Sequence, residues 1–321
     1  LAACGGGGYG GGGMSMPVMG VGPSKLFAAD STDMAIGSLA NPNPATGSLM
    51  VDRTITGSFY VQLSTNIGSL ALDTVNDRLY VGNGTTIPVF NNASTDNGDV
   101  FRSGTITSNP AIGNTGSMFL DAVHDSLYVG DDVVEVKVFS PASTLTGLST
   151  PRHITGMTTP IHGVAVDTGT NNILYVSNEN AGTHQISVFD NADTVTNAAP
   201  SRTIVPTVSG VNLAVGGIAF DATHDLLYVA PGAGANGIMV FSTPNTAHGM
   251  IAPTQTLTIT SAPGILKVVV DGPNDRLYAV GSNGHVYLIE VASTLTSGNA
   301  TAKDASLSNG GMLTAVAVNP N

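Results

Sequence analysis

The chain has 321 residues and a net charge of -12; 42% of its residues are hydrophobic and only 10% are charged. That much apolar material excludes wholesale disorder, and so few charges exclude a long-helix or coiled-coil protein. Ten scattered Lys and Arg cannot build a basic face for nucleic acid.

In chain order, the first feature is Leu1-Ala2-Ala3-Cys4-Gly5, which resembles the lipobox of bacterial lipoproteins. Residues Gly5 to Gly13 are all Gly except Tyr9, a composition suited to a flexible tether. Residues 1–22 therefore read either as a lipid-anchoring start at Cys4 followed by a leash, or as a low-complexity terminus with a chance cysteine. Cys4 is the single cysteine, so an intrachain disulfide is excluded. No stretch of the sequence is apolar for the 18 to 20 residues a spanning helix needs.

Residues 23–321 carry a repeat. An apolar triplet, an Asp, a short polar turn and a Leu-Tyr-Val phrase recur. The copies are Leu70–Asp73 with Leu79-Tyr80-Val81, Met118–Asp121 with Leu127-Tyr128-Val129, and Val164–Asp167 with Leu174-Tyr175-Val176. Two more are Ile218–Asp221 with Leu227-Tyr228-Val229 and Val268–Asp271 with Leu277-Tyr278-Ala279. The Asp residues are spaced by 48, 46, 54 and 50 positions. Each copy continues into a third apolar segment (Ile87–Phe90, Val136–Phe139, Ile186–Phe189, Ile238–Phe241, Val286–Ile289) and a fourth near Arg53, Arg102, Arg152, Arg202 or Gln255. Four short strands per unit at this period, with no helical periodicity, predict β-propeller blades.

The ends complement one another. Ala315-Val316-Ala317-Val318-Asn319 matches a first strand. Lys25–Asp30, Met34–Ile36 and Arg53–Ile55 match a second, third and fourth. The prediction is an all-β, six-bladed propeller of four-stranded blades, in which a C-terminal strand completes the N-terminal blade and leaves no open edge.

The Asp ending each first strand fits a turn residue that accepts backbone N–H bonds; metal binding is the alternative. The Tyr series at 80, 128, 175, 228 and 278 is expected to pack between blades with its hydroxyl at a polar rim. All six arginines fall at repeat landmarks, which points to bonding between blades or in turns. Function in a propeller usually lies on the face carrying the blade-to-blade and second-to-third-strand connections. Residues before the first strands there are Asn66, Asn114, His162, Asn212 and Lys267, and the loop ring is Asp30, Asn83, Asp131, Asn178, Pro231 and Ser282. Asp131, Asp132 and Glu135 form the best local acidic group. His162 is the lone candidate for a general base, with a structural role as the alternative. HExxH, CxxC, GxSxG and phosphate-loop patterns are missing from the sequence, so no catalytic residue and no metal ligand set is predicted.

Gly163–Asp167, Leu174–Asn178 and Ile186–Asp190 make the chain resemble bacterial NHL-like or YVTN-like β-propellers. That resemblance implies an extracytoplasmic scaffold or binding module, with lactonase-like relatives that hold a divalent cation through Glu, Asn and Asp. Asn66, Asn114 and Asn212 stand near comparable places, with no matching Glu. The expectation is a non-catalytic propeller at the bacterial cell envelope, an outer-membrane lipoprotein facing periplasm or cell surface. It would bind a protein or polysaccharide and touch the membrane only through lipidated Cys4. A structural subunit of a surface array or filament, and a Ca²⁺-dependent lactonase-like hydrolase, are the alternatives; no cofactor other than Ca²⁺ enters.

Overall fold

A computed structural model of the chain describes residues 25–40, 47–49, 51–56, 63–64, 66–131, 134–157, 160–169, 171–307 and 311–319. Cys4, the glycine-rich start and Asp132 lie outside them. Six antiparallel blades form a ring. Blade one is built from both ends of the folded domain. Leu313–Val318 is its innermost strand, followed outward by Leu26–Asp30, Ala35–Leu39 and Arg53–Thr56. Leu26 faces Val318 and Ala28 faces Val316 in the closing pair. The inner strands of blades two to six are Ile67–Asp73, Thr115–Asp121, Ile161–Asp167, Ile218–Asp221 and Ile265–Asp271.

The second strands explain the core. In a strand, alternate side chains point to opposite faces, and here both faces are covered by a neighbouring blade. In blade two, Leu79 and Val81 pack toward blade one, whereas Tyr80 packs toward blade three. Blade three repeats this with Leu127 and Val129 on one side and Tyr128 on the other. The apolar core therefore divides into six clusters, one at each blade–blade interface. Phe27 takes the tyrosine's place in blade one.

The tyrosines end in a specific bond. Tyr80 Oη donates to the Ala142 carbonyl at 2.8 Å, and Tyr128 Oη to the Ala192 carbonyl at 2.9 Å, each in the next blade. Arg78 and Arg152 donate to the same two carbonyls, at 3.1 and 2.8 Å. Burial pushes both phenols up to about 12. The arginine landmarks thus include two that stitch blades together, while Arg102 is exposed.

The repeated Asp is a turn residue. Asp73 Oδ1 accepts the N–H groups of Val75 and Asn76, and its Oδ2 accepts Asn76 Nδ2. His124 and His224 fill the place of Asn76, with Nδ1 at 2.7 and 2.8 Å from Asp121 and Asp221 Oδ2. The second Asp of the turn sits in left-handed backbone at Asp77, Asp125 and Asp275, each with φ of 50°. From there it clamps the loop after the third strand, through Ser94, Ser143 and Ser293.

That loop explains an added strand. After it, Gly98–Asp99, Gly147–Ser149, Gly249–Ile251 and Gly298–Asn299 each run parallel to the outermost strand of the preceding blade. Gly47–Leu49 does the same for blade six. Among the described residues blade four adds no such strand to blade three, and its Asn197 N and Thr196 Oγ1 each donate to the His153 carbonyl at 3.0 Å. Each blade owns four strands, as the sequence predicts, and most borrow a fifth at the rim.

The hydroxyls of Tyr175 and Tyr228 are buried and have no hydrogen-bond partner, unlike those of Tyr80 and Tyr128. Tyr80→Phe is therefore expected to lower stability by about 1 kcal/mol, as loss of one net hydrogen bond does, while Tyr175→Phe should be neutral or slightly stabilising. Urea unfolding midpoints of the two variants check this; equal shifts would sink the assignment.

Candidate functional site at the channel mouth

The inner strands run from the connection face, where the chain enters from the previous blade, to the Asp turns on the opposite face. Close to their entry, each of five inner strands carries one residue more than its partner. These are Gly68, Gly116, His162, Leu266 and Thr314. Such a bulge bends the strand and re-aims the extra residue. Repeated around the ring, it makes a collar at one mouth of the channel.

Hydrogen bonds fasten the collar blade by blade. Thr314 Oγ1 donates to the Ile67 carbonyl at 2.7 Å and Ser69 Oγ to Thr115 at 2.7 Å. Val164 N donates to Ser117 Oγ at 2.9 Å and Ser177 Oγ to Gly216 at 2.6 Å. Gly217 N donates to Leu266 at 2.9 Å, and Leu313 N to Gly284 at 3.3 Å. The backbones come so close that a Cβ on Gly163 would sit 2.6 Å from the Ile218 nitrogen.

Lys267 crosses the collar. It starts in blade six, and its Nζ donates to the Gly116 carbonyl of blade three at 3.0 Å and to the Gly68 carbonyl of blade two. Its side chain lines the channel cavity of about 230 Å³ and both basins above it, of about 710 and 580 Å³. The ammonium thus caps the channel and divides the mouth. Burial pushes Lys267 down to about 8.

Of the other predicted mouth residues, Asn66 and Asn114 open onto the 580 Å³ basin, and His162 lines the 710 Å³ basin together with Pro231. Asn212 lines neither basin and acts as a clamp. Its Oδ1 accepts His184 N at 2.8 Å, and its Nδ2 donates to the His184 carbonyl at 2.9 Å. The predicted loop ring is largely engaged in internal bonds. Asn83 Oδ1 accepts Ser64 N and Oγ, and Asn178 Oδ1 accepts Ser187 Oγ. Asp30 caps its own turn through Thr32 N and Asp33 N. Asp131 takes Gly113 N at 2.8 Å and an ion pair from buried Lys137, while Ser282 N donates to the Gly264 carbonyl at 2.9 Å.

The local acidic group is paired internally where it is described. Lys137 Nζ also reaches Glu135 Oε1 at 2.7 Å, and His153 Nδ1 lies 2.8 Å from Glu135 Oε2. Burial raises the Glu135 pKa, but Lys137 and His153 outweigh it and hold the carboxyl below its ordinary value.

Two residues of the mouth are missing from the sequence-based set. The second and third strands of blade four, Ile173–Asn180 and Thr183–Asp190, are the longest in the described ring. Their hairpin turns through Ala181 and Gly182, both with positive φ, as a tight two-residue turn requires. The added length sets Glu179 opposite His184 across the hairpin and brings both beside His162 at the wall of the larger basin. One side-chain donor atom from each of the three lies within 4.8 Å of the others. The signal in the sequence was the spacing from Asn178 to Ile186, longer than Asn83 to Ile87 in blade two.

Neither a family model nor a curated protein sequence matches the chain. Among solved structures, a chain described as "Crystal structure of Nidogen/Laminin Complex" superposes with a TM-score of 0.61 over 92% of this chain and 97% of its own length, at 15% identity. At that identity the likeness is one of fold. Among the described residues no helix is long and apolar enough to cross a membrane.

Lys267 gives the site a pH dependence. In the unfolded chain a lysine titrates near 10.4, whereas here burial holds it at about 8. Below pH 8 both states are protonated and the native state carries the cost of the confined charge. Between about pH 8 and 10.4 the unfolded state binds the proton that the native state has released, so stability rises with pH. Urea unfolding at pH 7.5 and 9.5 should show the wild type gaining on Lys267→Met by up to about 1.4 kcal/mol per pH unit. Parallel behaviour of the two would remove the claim.

Proposed function

We propose that this chain is a non-catalytic binding propeller that takes a protein partner on the channel-mouth face. The observation that carries the reading is the Lys267 cap. It bars the channel and leaves two open basins side by side on one face. A lone cleft suits a small substrate, whereas paired basins on a stiff collar suit a broad macromolecular surface. The engagement of Asn83, Asp131, Asn178 and Asn212 in internal bonds speaks against a calcium-dependent hydrolase built on the loop ring. A calcium site wants six to eight oxygen ligands. One fold neighbour is described as belonging to a nidogen/laminin complex, which favours a protein over a polysaccharide partner. The repeat phrases that resemble NHL-like and YVTN-like propellers, with the lipobox-like Cys4, support a setting at the bacterial cell envelope with a lipid anchor.

Face-selective photocrosslinking tests this. A photoreactive residue at Thr85 or Ala233, exposed at the two basins, should yield protease-sensitive adducts in native envelope preparations. The same residue at Val75 or Val123, exposed on the opposite turns, should yield none. Adducts from the turn positions alone, protease-resistant adducts, or none at all would overturn the reading.

A further inference from the structure

We propose that His162, Glu179 and His184 form a binding site for a first-row transition-metal ion of the zinc class. Imidazole nitrogens suit zinc, copper, nickel and iron, whereas calcium and magnesium seek oxygen. Two imidazoles and one carboxylate are a ligand set that zinc takes in sites with an open fourth position. Here that position faces the 710 Å³ basin, which all three residues line.

The three side chains are brought together by features specific to blade four. His162 is the bulged residue of the inner strand, while the collar places Gly68 and Gly116 at the matching points of blades two and three. Glu179 and His184 exist only because the hairpin is extended. The His184 backbone is held on both sides by Asn212, and Glu179 N donates to the Pro160 carbonyl at 3.3 Å. The ligand-bearing backbone is therefore fixed, while the side chains turn on it.

The histidine chemistry singles out this place. Among the described residues, His124, His153, His224 and His285 each have Nδ1 within 2.8 Å of a carboxylate oxygen. His248 is exposed. His184 Nδ1 is buried and has no hydrogen-bond partner, and Glu179 Oε2 stands 4.0 Å from it. Donors bonded to tetrahedral zinc at about 2.0–2.2 Å lie about 3.3 Å apart. The present cluster, within 4.8 Å, closes onto an ion by side-chain rotation of about an ångström. Lys267 shares the basin, but its ammonium is turned to the Gly68 and Gly116 carbonyls.

The test is calorimetric titration of the full chain with Zn²⁺, paralleled by Co²⁺ to read the visible bands of a tetrahedral site. One ion per chain is expected, with Ca²⁺ giving no heat. His162→Ala and His184→Ala should each weaken binding by at least about tenfold, since even outer-shell changes cost 10–100-fold, and His248→Ala should not. Metal-free melting curves establish that the variants are folded. Glu179→Gln, near the end of the hairpin, supplies the third reading should a histidine variant fail to fold. Zn²⁺ should raise the melting temperature of the wild type and leave His184→Ala unchanged. Absence of stoichiometric binding, or binding untouched by all three ligand substitutions, overturns the site. It stands or falls independently of whether the mouth takes a protein partner.

Discussion

Everything in this molecule depends on a strand that is buried on both faces. An isolated blade would expose Leu79 and Val81 on one side and Tyr80 on the other. Burying side chains of this size is worth roughly 1.5–3 kcal/mol each, and only a neighbour on each side can supply it. A linear stack would leave two terminal blades unsatisfied; a closed ring leaves none. Closure through Leu313–Val318 is thus the geometric condition under which the repeated Leu-Tyr-Val phrase becomes stable. The tyrosine hydroxyl adds direction to non-directional burial. Bonded to Ala142 or Ala192, it ties blades two and three each to a fixed loop of the next blade.

The ring in turn fixes the mouth. With each inner strand held by its neighbours, a bulge cannot be absorbed by slippage, so its extra residue is driven toward the axis. In blades two and three that residue is Gly, and its carbonyl becomes the available polar group. Lys267 exploits two of them from the far side of the channel. In blade four the same position is His162. The same backbone irregularity therefore offers carbonyls to the lysine cap in blades two and three and presents an imidazole in blade four.

The fold was legible because its signal is repetitive. The Asp positions and the Leu-Tyr-Val phrase are local and recur often enough to outweigh chance, and the strand missing at one end is supplied at the other. The borrowed rim strand was not legible. Gly98–Asp99 and Gly298–Asn299 are two residues long, too short for any alternation of side chains to register. Its trace was the recurring Ala-Ser-Thr at 93–95, 142–144 and 292–294, whose serines answer to the second turn Asp. At the mouth, His162 and Lys267 were legible because both lie at the entry of an inner strand, a few residues before the repeated Asp. Asn212 precedes an inner strand in the same way, but it lines neither basin and its side chain is spent on the backbone of His184.

Glu179 and His184 were missed for a different reason, and it bears on how repeat proteins acquire sites. A search that aligns repeats finds what the units share, and what they share is mostly what holds them together: turn caps, inter-blade tyrosines, collar hydrogen bonds. Asp121 and Asp221 with their histidines are equivalent by repetition and serve the turns. Chemistry belongs to the departures. Blade four departs by lengthening one hairpin and by writing His where its neighbours have Gly, and both departures fall on the same wall of the same basin. The collar pins the His162 side and the Asn212 clamp pins the His184 side, so each ligand-bearing backbone is braced by its own element. Two unrelated departures that converge on one point, each separately braced, are what distinguish a site from an irregularity in the repeat.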